Sequence, residues 1–191
     1  RAGNRKRYLF ALAGPPGAGK STLAEIIRAE LTAKGHRSKI VPMDGFHLDN
    51  SVLTTRDLLA KKGAPQTFDA LAFIQMVQDI RNGAPEVSVP TFDRHADKVI
   101  PGGDRIDPED RILIFEGNYL LLNQEPWQVL LPLWDETAFI NPGIDELERR
   151  LIGRWIEHGL DEEAATAKAL GSDIPNARLV VEHSFTADQN L

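Results

Sequence analysis

Gly14-Pro15-Pro16-Gly17-Ala18-Gly19-Lys20-Ser21-Thr22 is the stretch on which the fold of this chain turns. It satisfies G-x-x-x-x-G-K-[ST] in full, and its flanks supply the setting that the pattern needs. Upstream, Tyr8 to Ala13 is a short apolar run that reads as a buried strand. Downstream, Leu23, Ile26, Ile27 and Leu31 recur at helical spacing between Lys20 and Lys34, and Gly35 is a natural stop. Between strand and helix, small residues let the backbone wrap an anion. The amides of Gly17 to Thr22 and the helix N-terminus favour negative charge there. Lys20 adds a mobile cation, and the Ser21 hydroxyl is placed to ligate Mg2+ on a bound triphosphate. Gly14, Gly17, Ala18, Gly19, Lys20, Ser21 and Thr22 are therefore the expected nucleotide-binding set.

Outward from the loop the pattern stays α/β. Lys39 to Met43 reads as a second buried strand ending at Asp44-Gly45-Phe46-His47. A polar excursion follows, with a short helix near residues 56 to 62 and a break at Gly63-Ala64-Pro65. Asp69 can cap a helix running through Asn82, with Leu71, Ile74, Val77 and Ile80 spaced by three. Val87 to Pro90 is a short strand candidate, and Phe92 to Asp110 reads as surface loop. Ile112 to Phe115 is a strand that runs into Glu116-Gly117-Asn118-Tyr119. Further on come a strand at residues 138 to 140, a helix from Ile144 to His158, a polar loop from Ser172 to Ala177 and a last strand from Arg178 to Glu182. The expected organisation is one domain over residues 1 to 191. It has a phosphate-binding core at 8–47, substrate-side loops at 48–68 and 92–110, and lid helices at 144–170.

Composition narrows the class. With 191 residues and 42% hydrophobic content the chain can bury one core. A net charge of −6 argues against a nucleic-acid or anionic membrane surface, and no cysteine is present to make a disulfide, a thiolate metal site or a cysteine nucleophile. No apolar run approaches the ~18 residues of a membrane span. The expected setting is the cytoplasm and the expected partner a small molecule, with at most a second copy of the chain as a homodimer. Because the chain opens on Arg1, it reads as lacking its true start.

A phosphate cradle alone does not choose between kinase, GTPase, transporter motor and sensor. D-x-x-G and N-K-x-D are absent, as is the glutamine-rich signature of a transporter motor. Asp44 instead ends one predicted strand and Glu116 another, and parallel strands put their carboxyl ends on one edge with the loop. A carboxylate there can take the proton of an attacking hydroxyl, which is the role expected of Asp44. Glu116 is expected to bind Mg2+ with Ser21 or to touch substrate. Arg150 and Arg154 share a helix face from which guanidinium groups could meet the transferring phosphoryl group, although Glu146, Glu148 and Glu157 could pair with them instead. His47, Arg94 and Tyr119 are candidate substrate contacts, with Asp93 and His95 as weaker neighbours. The histidines are not spaced for zinc.

Five segments carry a family resemblance: GPPGAGKST, PMDGFHLDN (42–50), KGAPQTFD (62–69), IFEGNYLLL (114–122) and SDIPNARLV (172–180). Together they resemble the uridine kinase, phosphoribulokinase and bacterial pantothenate kinase superfamily, from Tyr8 to Val181. The nearest likeness is to the branch labelled fructose transport system kinase or fructokinase. The resemblance implies a P-loop NTPase three-layer α/β/α sandwich with a five-stranded parallel sheet and a small mobile lid. It also implies ATP-dependent transfer to a hydroxyl, Asp44 as base, Glu116 as strand-end acid, Arg150 and Arg154 as lid arginines, Asn176 toward the adenine and Arg94 on the substrate side. The chain is shorter than the pantothenate kinases, and its KGAPQTFD and FDRH segments replace the parts that shape the acceptor pocket in uridine kinases. A sugar or sugar-like acceptor, fructose by name, is what the branch label implies. A pantothenate- or uridine-type kinase is the alternative of like mechanism, and a non-catalytic nucleotide sensor of a transport system the alternative of another class.

Overall fold

A computed structural model describes residues 7–191. Among these, β1 (Tyr8–Ala13), β2 (Ser38–Pro42), β5 (Ile112–Gly117), β6 (Glu136–Phe139) and β7 (Gln189–Asn190) form one sheet in the order β2-β5-β1-β6-β7. Every pairing in it is parallel. Both faces are covered, so the strands read as continuous apolar runs rather than alternating ones. The period of two survives in the burial. Leu9, Ala11, Ala13, Leu113 and Phe115 enter the larger core, whereas Leu12 and Ile114 pack on the opposite face with Ala24 of α1 (Lys20–Ala33). This is the three-layer α/β sandwich of a P-loop NTPase.

The larger core is aromatic. Phe46, Phe68, Phe73, Phe115, Tyr119, Trp127 and Trp134 pack together on one face of the sheet. α2 (Asn50–Thr55) and α3 (Ala70–Arg81) frame that side, and Asp69 caps α3 by accepting from the Ala72 amide. Leu71 was expected on the buried face of α3 and is 71% exposed. A spacing of three drifts around a helix of 3.6 residues per turn, so Leu71 ends on the side opposite Ile80.

Three other expectations are corrected. The short helix falls at Asn50–Thr55, and residues 59 to 61 make only a 3-10 turn. Residues 92 to 110 are not a plain loop: β3 (Val87–Asp93) and β4 (Lys98–Ile106) form an antiparallel hairpin that crosses them. Residues 178 to 182 are helical, within α6 (Ile174–His183), and the fifth strand is the later Gln189–Asn190. α4 (Ile144–Glu157), α5 (Glu162–Lys168), a π-helical turn (Ala169–Asp173) and α6 pack against one another. Their Leu147, Leu151, Ala169, Ile174 and Ala177 bury against Ala18 of the loop.

Candidate active site

Register brings the chemistry to one edge. Leu12 of β1 and Pro42 of β2 both pair with Glu116 of β5, so the loop after β1, the Asp44 turn and the Glu116 end meet at the carboxyl ends of three neighbouring strands. Gly17 sits at φ 79, and a Cβ there would come within 3.1 Å of Leu151, so α4 packs directly on the loop backbone. Gly14 lies against the Ile140 carbonyl. Gly19, Ser21 and Thr22 are exposed, and Lys20 is buried.

The Lys20 ammonium donates to the Pro15 carbonyl at 2.8 Å and to Asn118 Oδ1 at 2.7 Å. Burial lowers its pKa to about 8, with Glu116 and Asp44 opposing the fall. Ser21 Oγ donates to Glu116 Oε1 at 3.2 Å. Glu116 is itself buried, and desolvation raises its pKa while Lys20 pulls it back. Hydroxyl and carboxyl are hard oxygen donors that fit Mg2+, and among the described residues no group of three or more His, Asp or Glu could hold a metal ion. That donor set suits an ion carried mainly by phosphate oxygens and water.

A pH dependence follows from Lys20. Bound phosphate favours its charged form, so above about pH 8 binding must take up a proton, and nucleotide affinity is expected to fall by up to ~10-fold per pH unit. Calorimetry of a non-hydrolysable ATP analogue in buffers of different ionisation heat measures this uptake directly. Flat affinity with no proton uptake from about pH 7 to 9.5 would remove Lys20 from the phosphate site.

Asp44 stands in a 3-10 turn, Met43–Phe46, directly after β2. Its carboxylate accepts from Arg94 Nη2 at 2.9 Å, with side-chain exposures of 31% for Asp44 and 66% for Arg94. His47 Nδ1 lies 2.8 Å from the Asp44 carbonyl. A carbonyl only accepts, so Nδ1 carries the proton and Nε2 is the acceptor. Burial lowers the His47 pKa, which keeps the ring neutral. The ring lies 4.0 Å from Phe68 and 4.7 Å from Phe92, between the α3 approach and the hairpin.

The hairpin is held to this turn by close approach. A Cβ on Gly45 would collide with the Pro90 carbonyl. Gly45→Ala is expected to destabilise the protein by at least ~2 kcal/mol, because the obstacle is backbone. A denaturation midpoint equal to wild type would disprove the tight fit. At the hairpin tip, Lys62 donates to Asp97 Oδ1 and to Asn50 Oδ1, both at 2.7 Å, and so ties the tip to α2. Tyr119 is fully buried, donates its hydroxyl to the Gly63 carbonyl, and stays a phenol because burial raises its pKa. Asp93 accepts from the amides of His95 and Ala96, a turn-forming arrangement, and His95 is exposed.

On α4, Arg149 and Arg150 both pair with Glu146, which the sequence had offered as a competing partner. Arg150 also reaches back to the loop, with Nη1 3.4 Å from the Gly17 carbonyl and 3.3 Å from that of Ala18. Arg154 pairs with Asp173 at 3.1 Å. Asn176 lies in the first turn of α6, and a Cβ on Gly63 would be 3.8 Å from its amide nitrogen. Its neighbour is thus the KGAPQTFD segment.

Sequence reasoning named no role for Asn118, Asp173 or Leu151. Asn118 follows Glu116 by two residues and could have been suspected as part of the same strand end. Leu151 and Asp173 owe their places to the docking of α4 and α6, which no local pattern encodes. A cavity of about 480 Å³ between the end of α6 and the β6–β7 edge holds none of the predicted site residues.

No protein-family model matches the chain. Over 194 aligned residues it is 34% identical to a Schizosaccharomyces pombe protein named "putative uridine kinase", taking in 97% of this chain and 83% of that one. The crystal structure of a "putative fructose transport system kinase" from Silicibacter sp. TM1040 superposes with a TM-score of 0.95 at 42% identity, covering 100% of this chain and 92% of that one. The pantothenate kinase of Cronobacter sakazakii is 32% identical over 163 residues, which is 81% of this chain and 52% of that enzyme.

Proposed function

The chain belongs to the uridine kinase, phosphoribulokinase and pantothenate kinase group of P-loop kinases, phosphotransferases with an alcohol group as acceptor, and from that premise we propose that it phosphorylates a sugar or sugar-like metabolite from ATP held with Mg2+. The observation that carries this reading is the edge shared by Lys20, Glu116 and Asp44, in which a cation for phosphate stands beside a carboxylate for the acceptor. A binder needs the first alone.

In the proposed mechanism the amides of Gly17 to Thr22 and the Lys20 ammonium hold the β- and γ-phosphates, and Gly14 lets the chain enter the loop close to Ile140. Ser21 and Glu116 would hold Mg2+, which when bound neutralises charge on the terminal phosphates. Asp44 takes the proton of the attacking hydroxyl, and Arg94 keeps its carboxylate turned toward that hydroxyl. Neutral His47 offers Nε2 to another hydroxyl of the acceptor, while Phe92, Phe68 and buried Tyr119 shape the pocket wall. Arg150 and Arg154 bring cations to the phosphoryl group in flight. Asn176 is assigned to the adenine end by the family resemblance. One copy of the chain supplies all of these residues, and cytoplasmic ATP would be the donor.

The fructose assignment leans on the name of the Silicibacter relative; uridine and pantothenate are the alternatives. Thermal-shift screening with a non-hydrolysable ATP analogue against fructose, other sugars, uridine and pantothenate tests them together. A sugar should add stabilisation beyond nucleotide alone. Stabilisation only by uridine or pantothenate would replace the sugar reading, and nucleotide binding without any turnover would favour the sensor.

A further inference from the structure

We infer that Asp173 is a positioning residue, which aims the Arg154 guanidinium at the phosphoryl group in flight. The inference rests on the kinase reading above and adds to it a residue for which neither motif nor resemblance supplied a role.

Arg154 follows Arg150 by one helical turn on the same face of α4, and Arg150 lies over the Gly17 and Ala18 carbonyls. Arg154 therefore shares the face of α4 that carries Arg150 to the loop. Its charge is felt at Lys20, where it disfavours the protonated ammonium. Two cations are thus close enough to repel one another, and a bound polyphosphate would relieve that repulsion.

A long arginine side chain is poorly aimed unless something fixes it, because holding it costs about 2 kcal/mol of rotamer entropy. Asp173 does so in advance. Its Oδ1 accepts from Arg154 Nη2 at 3.1 Å, and its Oδ2 accepts from Trp155 Nε1 at 2.6 Å. With both oxygens engaged the carboxylate cannot swivel. The Trp155 ring adds a second surface, 5.3 Å from the guanidinium. Asp173 is 15% exposed and Arg154 33%, so the pair is sheltered from solvent but open on one side. Among the described residues only Nη2 of the Arg154 guanidinium is engaged, which leaves Nη1 and Nε for phosphate oxygens.

The backbone around Asp173 supports the assignment. It ends the π-helical turn Ala169–Asp173, and such turns occur often at functional sites. The next residue, Ile174, is buried in one cluster with Leu147 and Leu151 of α4. The carboxylate is therefore anchored to the helix that carries its arginine.

The test uses MgADP with and without aluminium fluoride, a mimic of the transferring phosphoryl group that requires no knowledge of the acceptor. Asp173→Asn keeps an acceptor for Trp155 but loses the charge that orients Arg154. It should weaken the fluoride complex ~10-fold and leave MgADP affinity within about twofold. In an Arg154→Ala background the same change should cost nothing further. Equal losses for both ligands, or an undiminished loss without Arg154, would show a merely structural residue and overturn the inference. So would a wild-type protein that binds MgADP no better with fluoride than without. If the asparagine variant does not fold, Asp173→Glu carries the test, since it keeps the charge but displaces it by one methylene and should weaken the fluoride complex ~10-fold with MgADP affinity within about twofold; equal losses for both ligands would overturn the inference there too. Failure of the wild-type protein to bind MgADP at all would instead strike the kinase reading.

Discussion

Asp44→Asn is expected to cut turnover at least ~100-fold while leaving nucleotide affinity within about twofold of wild type. The two halves of this result have separate causes. Asparagine is nearly isosteric, keeps one oxygen for the Arg94 bond at 2.9 Å and leaves the Met43–Phe46 turn intact. What it cannot do is take a proton. The phosphate cradle is built from other elements, the β1–α1 loop with Lys20 and Asn118, and loses only the support that the Asp44 charge gives the Lys20 ammonium, so nucleotide binding should change little. Initial rates with an acceptor found by the screen, beside titration of a non-hydrolysable analogue, separate the two quantities. Undiminished turnover would take the base role from Asp44. A parallel loss of nucleotide affinity would mean that Asp44 serves the cradle, in which case the separation of donor and acceptor sites is wrong.

Much of this edge of the sheet was legible because its signals are local. The nine residues from Gly14 to Thr22 dictate a strand, a loop and a helix in one pass, and Asp44 and Glu116 end runs of apolar residues that can only be strands or buried helix. Once the strands are parallel, their ends must share an edge, and Glu116 pairs with both β1 and β2 as that logic requires. The failures have an equally physical origin. Arg178 to Glu182 is apolar and β-branched enough for a strand, yet Pro175 opens a helix there and Ile174, Ala177 and Val180 bury at a spacing of three. The strand that completes the sheet, Gln189–Asn190, is two polar residues whose place comes from pairing with β6, something no propensity announces. The β3–β4 hairpin was hidden by glycine and proline in its second strand, which are tolerated because it lies in a two-stranded ribbon outside the main sheet. The loop nevertheless hid its most telling contact. Nothing near Gly17 says that Leu151, more than a hundred residues later, will rest on it.

Lys20→Met should abolish productive nucleotide binding, with affinity and turnover each falling ~100-fold or more, while the folded protein loses little stability. Two opposed effects set the second half of this expectation. A buried ammonium whose pKa falls from 10.5 to about 8 is a charge that folding disfavours, and a shift of that size is worth roughly 3 kcal/mol. Removing it relieves that cost. Methionine is apolar, flexible and of similar length, so it fills the same space. Against this, the Pro15 carbonyl and Asn118 Oδ1 each lose their donor, at about 1–3 kcal/mol apiece. Glu116 also loses its compensating cation and shifts further toward the neutral acid that its burial already favours. These contributions are of similar size and opposite sign, so the melting temperature should move by no more than a few degrees. Thermal unfolding of the variant without nucleotide, and its failure to be stabilised by an ATP analogue, measure the two halves. A large drop in melting temperature would make Lys20 a structural linchpin of the loop, and retained stabilisation by the analogue would mean that the phosphates are held by the amides alone.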